Sequence, residues 1–377
     1  MRKKGREWIV SLSIAALIII AAIAGKRVAL QSEQKLFSTL IGDNYTSRLI
    51  NENKWILTAS GDTVSSVLYI GKGKGYNDNI TIATFTDTLG DILSVRCLYE
   101  KETPSFYKKI SKNRYLDRFV GQNINDVIDN NRVDIVAGAT ISSSAIAEAV
   151  KDAYINGENL DYSRPFKLRF GLPETLVSIL LLISLLLSIR TFQRYHRVLL
   201  PISWILSVVY LGFYLGQLLT LPRFITVFTG YLPDIGTEFY IILIVVFATL
   251  AVLFSGKNLY CKSVCPFGAA QDIIGHIGGA KAFRPKRYRI FKSLQWGITL
   301  AAILLALSIN NPGVAEYSVF GAFFQLTAAS TIFILLIITI ALSLFIKRPW
   351  CNYLCPIDGV FAYFRTLRRA LLNLFSI

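Results

Sequence analysis

Six apolar runs govern what this chain can fold into. They are Trp8–Ala24, Leu176–Ile189, Leu199–Leu219, Phe239–Ser255, Leu294–Ile309 and Thr327–Ile346. Each reads as a helical membrane span. Between the first and second, from about Gly25 to Tyr162, the composition is that of a soluble domain. The expected fold is therefore a membrane protein: an exported α+β domain plus an α-helical bundle of about six transmembrane helices. The expected boundaries are an anchor over 1–27, an extracytoplasmic domain over 28–165 and a five-span membrane domain over 166–377, the last change following Arg164-Pro165. The first run reads as an uncleaved anchor, with a removed signal peptide ending near Ala22-Ile-Ala24 as the alternative. Both readings export the polar segment after it.

Charge sets the orientation. The chain has 377 residues, 53% of them hydrophobic, and a formal net charge of +16. With the N-terminus inside, the inside loops are 1–7, 190–197, 256–293 and 347–377. They hold twenty Lys and Arg against only Glu7, Asp272 and Asp358. The two short outside loops hold Arg223 against Asp234, Glu238 and Glu316. This positive-inside bias places both termini on the cytoplasmic side of an inner membrane. It accounts for the basic balance through membrane lipid, and no nucleic-acid-binding motif is present.

The cysteines divide by position. Cys97 stands alone in a strand pattern and reads as core. The other four form a repeat, Cys261-Lys-Ser-Val-Cys265-Pro and Cys351-Asn-Tyr-Leu-Cys355-Pro, each closing a helical hairpin at the cytoplasmic edge. A spacing of four puts two thiols on one helical face. Paired thiols in a reducing compartment bind metal or do redox work more often than they form disulfides. Proline after the second cysteine matches the end of a bacterial ferredoxin run, and two pairs supply the four thiolates of one iron–sulfur cluster, [4Fe–4S] or [2Fe–2S]. Structural zinc suits four thiolates equally and stays open as the alternative.

In the exported segment, alternation predicts strands at Thr63–Ile70, Ile80–Thr86 and Ile92–Tyr99, with a turn at Gly90-Asp91. A helix is expected from about Ser143 to Ile155, with Ile146, Ala149 and Val150 on one face. Before it stands Asp134-Ile-Val-Ala-Gly138-Ala139-Thr140-Ile-Ser142-Ser-Ser144. Gly138 permits close backbone approach. The serines are expected to cap the helix, whose N-terminus favours a phosphate.

This segment resembles the flavinylation motif of the FMN-binding domain in the Rnf and sodium-pumping NADH:quinone reductase complexes. There an Asp-x-x-Ser/Thr-Gly-Ala-Thr segment receives FMN as a phosphoester on its last threonine. Asp134, Gly138, Ala139 and Thr140 match, and Ala137 departs. Gly73-Lys-Gly75-Tyr76 and Glu102-Thr103-Pro104 also look like segments of that family. The resemblance implies covalent FMN on Thr140, attached by a separate flavin transferase, with Asp134, Gly138, Ala139, Ser142, Glu102 and Thr103 around it. The order of anchor, exported FMN-binding domain, spans and two C-x3-C-P motifs resembles the NosR-type flavoproteins. The C-terminal half is similar to ferredoxin-like membrane subunits of periplasmic nitrate reductase systems. Such proteins often continue into a further cysteine-rich domain. This chain stops at Ile377, so a soluble cytoplasmic donor or a quinol is expected to supply its electrons.

The expected route runs from that donor through one cluster, expected to be a [4Fe–4S], held by Cys261, Cys265, Cys351 and Cys355, to FMN on Thr140 and an extracytoplasmic electron-accepting protein. A core of about 30 Å is long for a single tunnelling step. The exported domain approaches, the cluster sits deep, or a quinone intervenes; Tyr210, Tyr214 and Gln217 are the candidates for a quinone pocket. His196 and His276 fall in loops and read as solvated rather than as haem ligands. The rival functions are a flavin-based transmembrane redox sensor and an assembly factor for an exported metalloenzyme.

Overall fold

A computed structural model describes residues 11–28, 45–59, 64–130, 133–160, 171–216, 218–233, 238–283 and 285–374. The chain divides into two compact units. One comprises Ile23–Phe166 with the outlying segment Ser308–Val314; the other comprises Met1–Ala22, Lys167–Leu307 and Ala315–Ile377. The first described helix is α1 (Ser11–Val28).

The first unit is built on a five-stranded antiparallel meander in chain order: β1 (Tyr45–Asn51), β2 (Lys54–Ala59), β3 (Val64–Lys74), β4 (Asn79–Thr86) and β5 (Ile92–Tyr99). Three helices follow: α2 (Pro104–Lys112), α3 (Ile124–Asn130) and α4 (Thr140–Gly157). Alternation in β4 buries Ile80, Ile82, Thr84 and Thr86, and these isoleucines pack with Ile146, Ala149 and Val150 of α4. A smaller cluster of Trp55, Leu57, Leu68, Ile70 and Ala83 forms a second core. The helix lies directly on β3 because both elements are small where they meet. A Cβ on Gly71 would come within 2.2 Å of the Ala149 carbonyl oxygen, and one on Gly73 within 1.8 Å of that of Ala145. Alanines at 145, 149 and 153 recur every four residues and form the matching stripe on α4.

The second unit is helical. It contains α5 (Leu172–Leu186), α6 (His196–Leu206), α7 (Leu221–Phe228), α8 (Phe239–Ser255), α9 (Pro266–Gly278), α10 (Tyr288–Ser308), α11 (Phe320–Phe324), α12 (Ser330–Ser343), α13 (Pro349–Tyr353) and α14 (Pro356–Leu374). α6 continues through a π-helical stretch, Ser207–Tyr214. Among the described residues, three helices are long and apolar enough to cross a membrane: Ser11–Val28, His196–Tyr214 and Tyr288–Ser308. Leu172–Leu186, Phe239–Ser255 and Ser330–Ser343 are apolar but shorter. Large side chains such as Ile179 and Leu182 on α5 and Ile334 and Ile337 on α12 are exposed, an apolar exterior suited to lipid.

Three strands and the α4 helix fall where the sequence expects them, with α4 starting three residues early. The expected serine cap is not found. Ala139 is the N-cap residue and offers no side-chain bond. Ser142 and Ser143 already lie inside the first turn and are buried, so their hydroxyls turn elsewhere. The expected span start at Trp8, and the boundary at Arg164-Pro165, lie outside the described residues.

Candidate functional site

The two cysteine pairs occupy equivalent places. After α8 a π-turn, Tyr260–Val264, carries Cys261 and delivers Cys265 in extended conformation as the N-cap of α9. In the second repeat α13 carries Cys351, and Cys355 immediately precedes α14. Pro266 and Pro356 are the first residues of their helices, where a missing N–H costs nothing. Each second cysteine therefore stands at a helix N-terminus with free amides beside it.

All four cysteines line a single cavity of about 350 Å³, with Lys262, Lys292, Arg348 and Arg365 also in its wall. The repeats clasp one another around it. From the second, Arg348 donates to the carbonyls of Cys261 and Lys262 and pairs with Asp272 of α9. From the first, Gln271 donates to the Cys351 sulfur at 3.2 Å and accepts the Trp350 N–H at 3.1 Å. Gln295 of α10 donates to the Cys355 carbonyl at 2.7 Å. Asp358 accepts from Lys292 at 2.6 Å and from Asn258 at 2.7 Å. Four soft sulfur donors in a wall rich in cations and N–H groups fit an anionic iron–sulfur core. Among the described residues, no three Cys, His, Asp or Glu side chains close to the spacing of ligands on a single ion.

In the sheet unit, Thr140 is the first residue of α4 and is exposed. Gly138 has φ +74°, a left-handed conformation that sets up the turn into the helix. Ser143 Oγ ties that turn together, donating to the Ala139 carbonyl and accepting the Val136 N–H. Next to it Ser142 Oγ donates to Glu102, whose carboxylate also accepts from the N–H groups of Tyr76 at 2.8 Å and Asn77 at 3.3 Å. Glu102 is 2% exposed. A Cβ on Gly75 would come within 2.5 Å of its Oε1, so glycine makes room for that carboxylate. Asn77 donates to Thr103 Oγ1 at 3.4 Å, and its buried Oδ1 has no hydrogen-bond partner. The first-turn amides of Thr140, Ile141 and Ser142, an exposed hydroxyl and an unpartnered buried acceptor fit a phosphorylated, hydrogen-bonding ligand such as FMN.

The structure thus brings Glu102, Thr103 and Ser142 into one hydrogen-bonded group below Gly138, Ala139 and Thr140. Asp134 is exposed and contributes its backbone carbonyl to Arg118 at 3.2 Å, outside that group. Sequence reasoning missed Asn77, Gln271, Gln295 and the specific role of Arg348. Only Arg348 had a signal, a cation three residues before Cys351. Tyr210 and Tyr214 stack at 5.3 Å, while Gln217 lies outside the described residues. His276 is exposed and its ring meets Trp204 at 5.9 Å. Cys97 is a free, half-buried thiol pushed up to about 11 by burial, consistent with an inert core residue.

The model of the FMN-binding domain family matches residues 75–155, and that of the 4Fe-4S binding domain matches residues 237–286 and 327–374. The resemblance to NosR-type flavoproteins is upheld. The regulatory protein NosR of Stutzerimonas stutzeri is 25% identical over 257 residues, 60% of this chain and 33% of NosR. A subunit of the ion-translocating oxidoreductase complex of Shewanella baltica (strain OS223) is 32% identical over 109 residues, 26% of this chain and 51% of that protein. The protein YccM of Escherichia coli (strain K12) is 29% identical over 143 residues, 34% of this chain and 39% of YccM. The chain therefore spans between a third and about a half of the length of these relatives. Thr140 lies within the first match and all four paired cysteines within the second.

Proposed function

We propose that this chain carries electrons across an inner membrane, from a cytoplasmic donor or a quinol to covalently bound FMN and on to an extracytoplasmic acceptor protein. The observation that carries the reading is the shared cavity of Cys261, Cys265, Cys351 and Cys355, present in one polypeptide with an FMN-binding domain. In this reading the helical unit is the six-span bundle expected from sequence, with both termini cytoplasmic and the sheet unit outside. The boundaries 1–27, 28–165 and 166–377 describe that arrangement.

An iron–sulfur cluster and FMN supply the electron-transfer chemistry when bound. The chain's own groups do the rest. The four thiolates hold the cluster; the N–H groups at the starts of α9 and α14, with Gln271 and Arg348, offset its negative charge. Thr140 offers the hydroxyl for the phosphoester made by a flavin transferase, and Gly138 and Ala139 present it at the helix start. Glu102, with Thr103 and Ser142, fixes the backbone of the Gly75–Asn77 turn beside it. Asp134 serves recognition by the transferase rather than contact with the bound flavin, since it is exposed and outside the hydrogen-bonded group. Four thiolates around one cavity suit a cluster and structural zinc alike, and sulfide content separates the two.

The test is anaerobic purification of the full chain, with iron, sulfide and flavin measured on one sample. Iron and sulfide together with flavin are expected; zinc without sulfide would sink the carrier reading and favour the assembly-factor one. Mass spectrometry of Thr140→Ala is expected to lose the FMN adduct, and an unchanged adduct would move the attachment site elsewhere.

A further inference from the structure

The sequence places the cysteine pairs at the basic edge of the helical unit, but the helices that follow them run the wrong way for that. α9 leads from Cys265 to Gly278, where a Cβ would come within 2.3 Å of the Leu344 carbonyl at the end of α12. α14 leads from Cys355 to Arg368, which donates to the Phe254 carbonyl at the end of α8. Both helices travel thirteen residues, about 20 Å, from their cysteine to the end of the helix that precedes the other pair. Those ends carry Lys257 and Lys347 and mark the boundary with water, while Arg348, next in the chain, turns inward to line the cavity. The cysteines therefore sit at the inner turning points of two re-entrant excursions.

Segments from the opposite ends of the spans come down to meet them. α10 starts at the basic side, with Tyr288 and Lys292 in the cavity wall, and runs to Ser308. The chain then turns back, and the Tyr317 hydroxyl lies 3.3 Å from Thr299 Oγ1. That point is nine residues back along α10, about 14 Å from its far end. Three residues on, Phe320 itself lines the cavity and packs on Phe267 at 5.3 Å. Leu219, beyond the far end of the helix His196–Tyr214, does likewise: it lines the cavity, and its N–H donates to Tyr260 at 3.3 Å.

We propose that the metal centre lies inside the helical unit, open toward its basic side and closed from the opposite side by the re-entrant segment Tyr317–Phe324, with Phe320 as its contact on that side. This rests on the proposed function and deepens it. Protein, rather than the full depth of a lipid core, then separates the centre from the far face. Of the three routes the sequence leaves open for crossing the membrane, the deep centre is the one selected.

Leu326 tests this. It is 77% exposed, and the neighbouring Thr327 N–H donates to the Gly321 carbonyl at 3.0 Å, which ties it to the segment holding Phe320. Leu326→Cys is made in a Cys97→Ser background of the full chain. Labelling of intact cells with an impermeant maleimide reads its side, and pulsed dipolar spectroscopy between a nitroxide there and the reduced cluster reads its distance. Labelling from outside, at a separation well short of the roughly 30 Å of a hydrocarbon core, is expected. A separation near that full thickness, or labelling only after lysis, overturns the inference. A parent protein holding no iron and sulfide instead refutes the carrier reading itself, so the two failures are distinguishable.

Discussion

Glu102 and Gln271 show how much each site depends on one buried polar side chain. Glu102 satisfies two backbone N–H groups and the Ser142 hydroxyl at once. Glu102→Gln keeps an oxygen for the two amides but removes the charge that strengthens all three bonds, and hydrogen bonds to a charged acceptor contribute about 1.5–3 kcal/mol each against about 1 kcal/mol for a neutral one. The variant is expected to lose about 3 kcal/mol of stability in thermal unfolding, and bound flavin with it. Gln271 acts on the other cofactor. Its N–H···S bond to Cys351 favours the more negative, reduced form of a cluster. Gln271→Leu is therefore expected to keep its iron and lower the midpoint potential in an EPR-monitored redox titration; an unchanged midpoint with full iron content would count against that bond. The two residues differ in legibility. Glu102 stands in a recognisable Glu-Thr-Pro segment, whereas Gln271 meets a partner 80 residues away, which no local pattern records.

At the scale of elements, the contact of α4 with β3 sets where Thr140 stands. A methyl at Gly73 would run into the Ala145 carbonyl at 1.8 Å, and backbone cannot yield as a side chain can. Gly73→Ala is expected to lift the start of α4 and destabilise the sheet unit by about 1–3 kcal/mol, with less FMN retained per polypeptide. The far end of α4 is held by charge. Glu158 accepts from Lys54 Nζ at 2.6 Å and from Tyr69 Oη at 2.5 Å. Partial burial pulls its carboxyl up, but the bonds from Lys54 and Tyr69 outweigh this and leave it below the ordinary value of 4.5. A carboxylate depressed on folding stabilises at pH above 4.5, and that contribution fades as pH falls through the lower folded value. Glu158→Gln should therefore lower the unfolding temperature near neutral pH and leave it little changed in acid. Strands β3 to β5 are legible because their apolar residues alternate. β1, Tyr-Thr-Ser-Arg-Leu-Ile-Asn, has no such alternation; among the described residues it pairs only with β2 and leaves Leu49 and Ile50 exposed. Its pairing comes from the neighbouring strand rather than from burial of its own face. The start of α4 precedes the serines that mark it in sequence because its turn is closed by Ser143 from within the helix, not by a capping side chain ahead of it.

For the whole molecule, the order of apolar runs and the cysteine repeat are readable because both are periodic features of the chain itself. The depth of the cysteines is not, because it depends on loops that fold back between the helices. Separate cores suggest that the two sites form separately. The sheet unit packs around Ile80, Ile82 and Ile146, while the helical unit packs around Leu180, Ile244, Val264 and Phe361, with Cys265 and Cys355 among its buried residues. Losing the metal should then leave flavin attachment intact, and losing the flavin should leave the metal. Cys355→Ser removes one of the four thiolates that line the cavity. This variant is expected to purify with FMN on Thr140 but with little iron or sulfide. Thr140→Ala is expected to show the reverse, with full iron and sulfide and no covalent FMN. With a reduced donor supplied, neither variant should reduce an external acceptor, because each retains only one end of the route. If Cys355→Ser instead lost both cofactors while the folded protein remained in the membrane, the sites would be coupled. Flavin attachment would then require a metal-loaded helical unit, an order of assembly that the separate cores argue against.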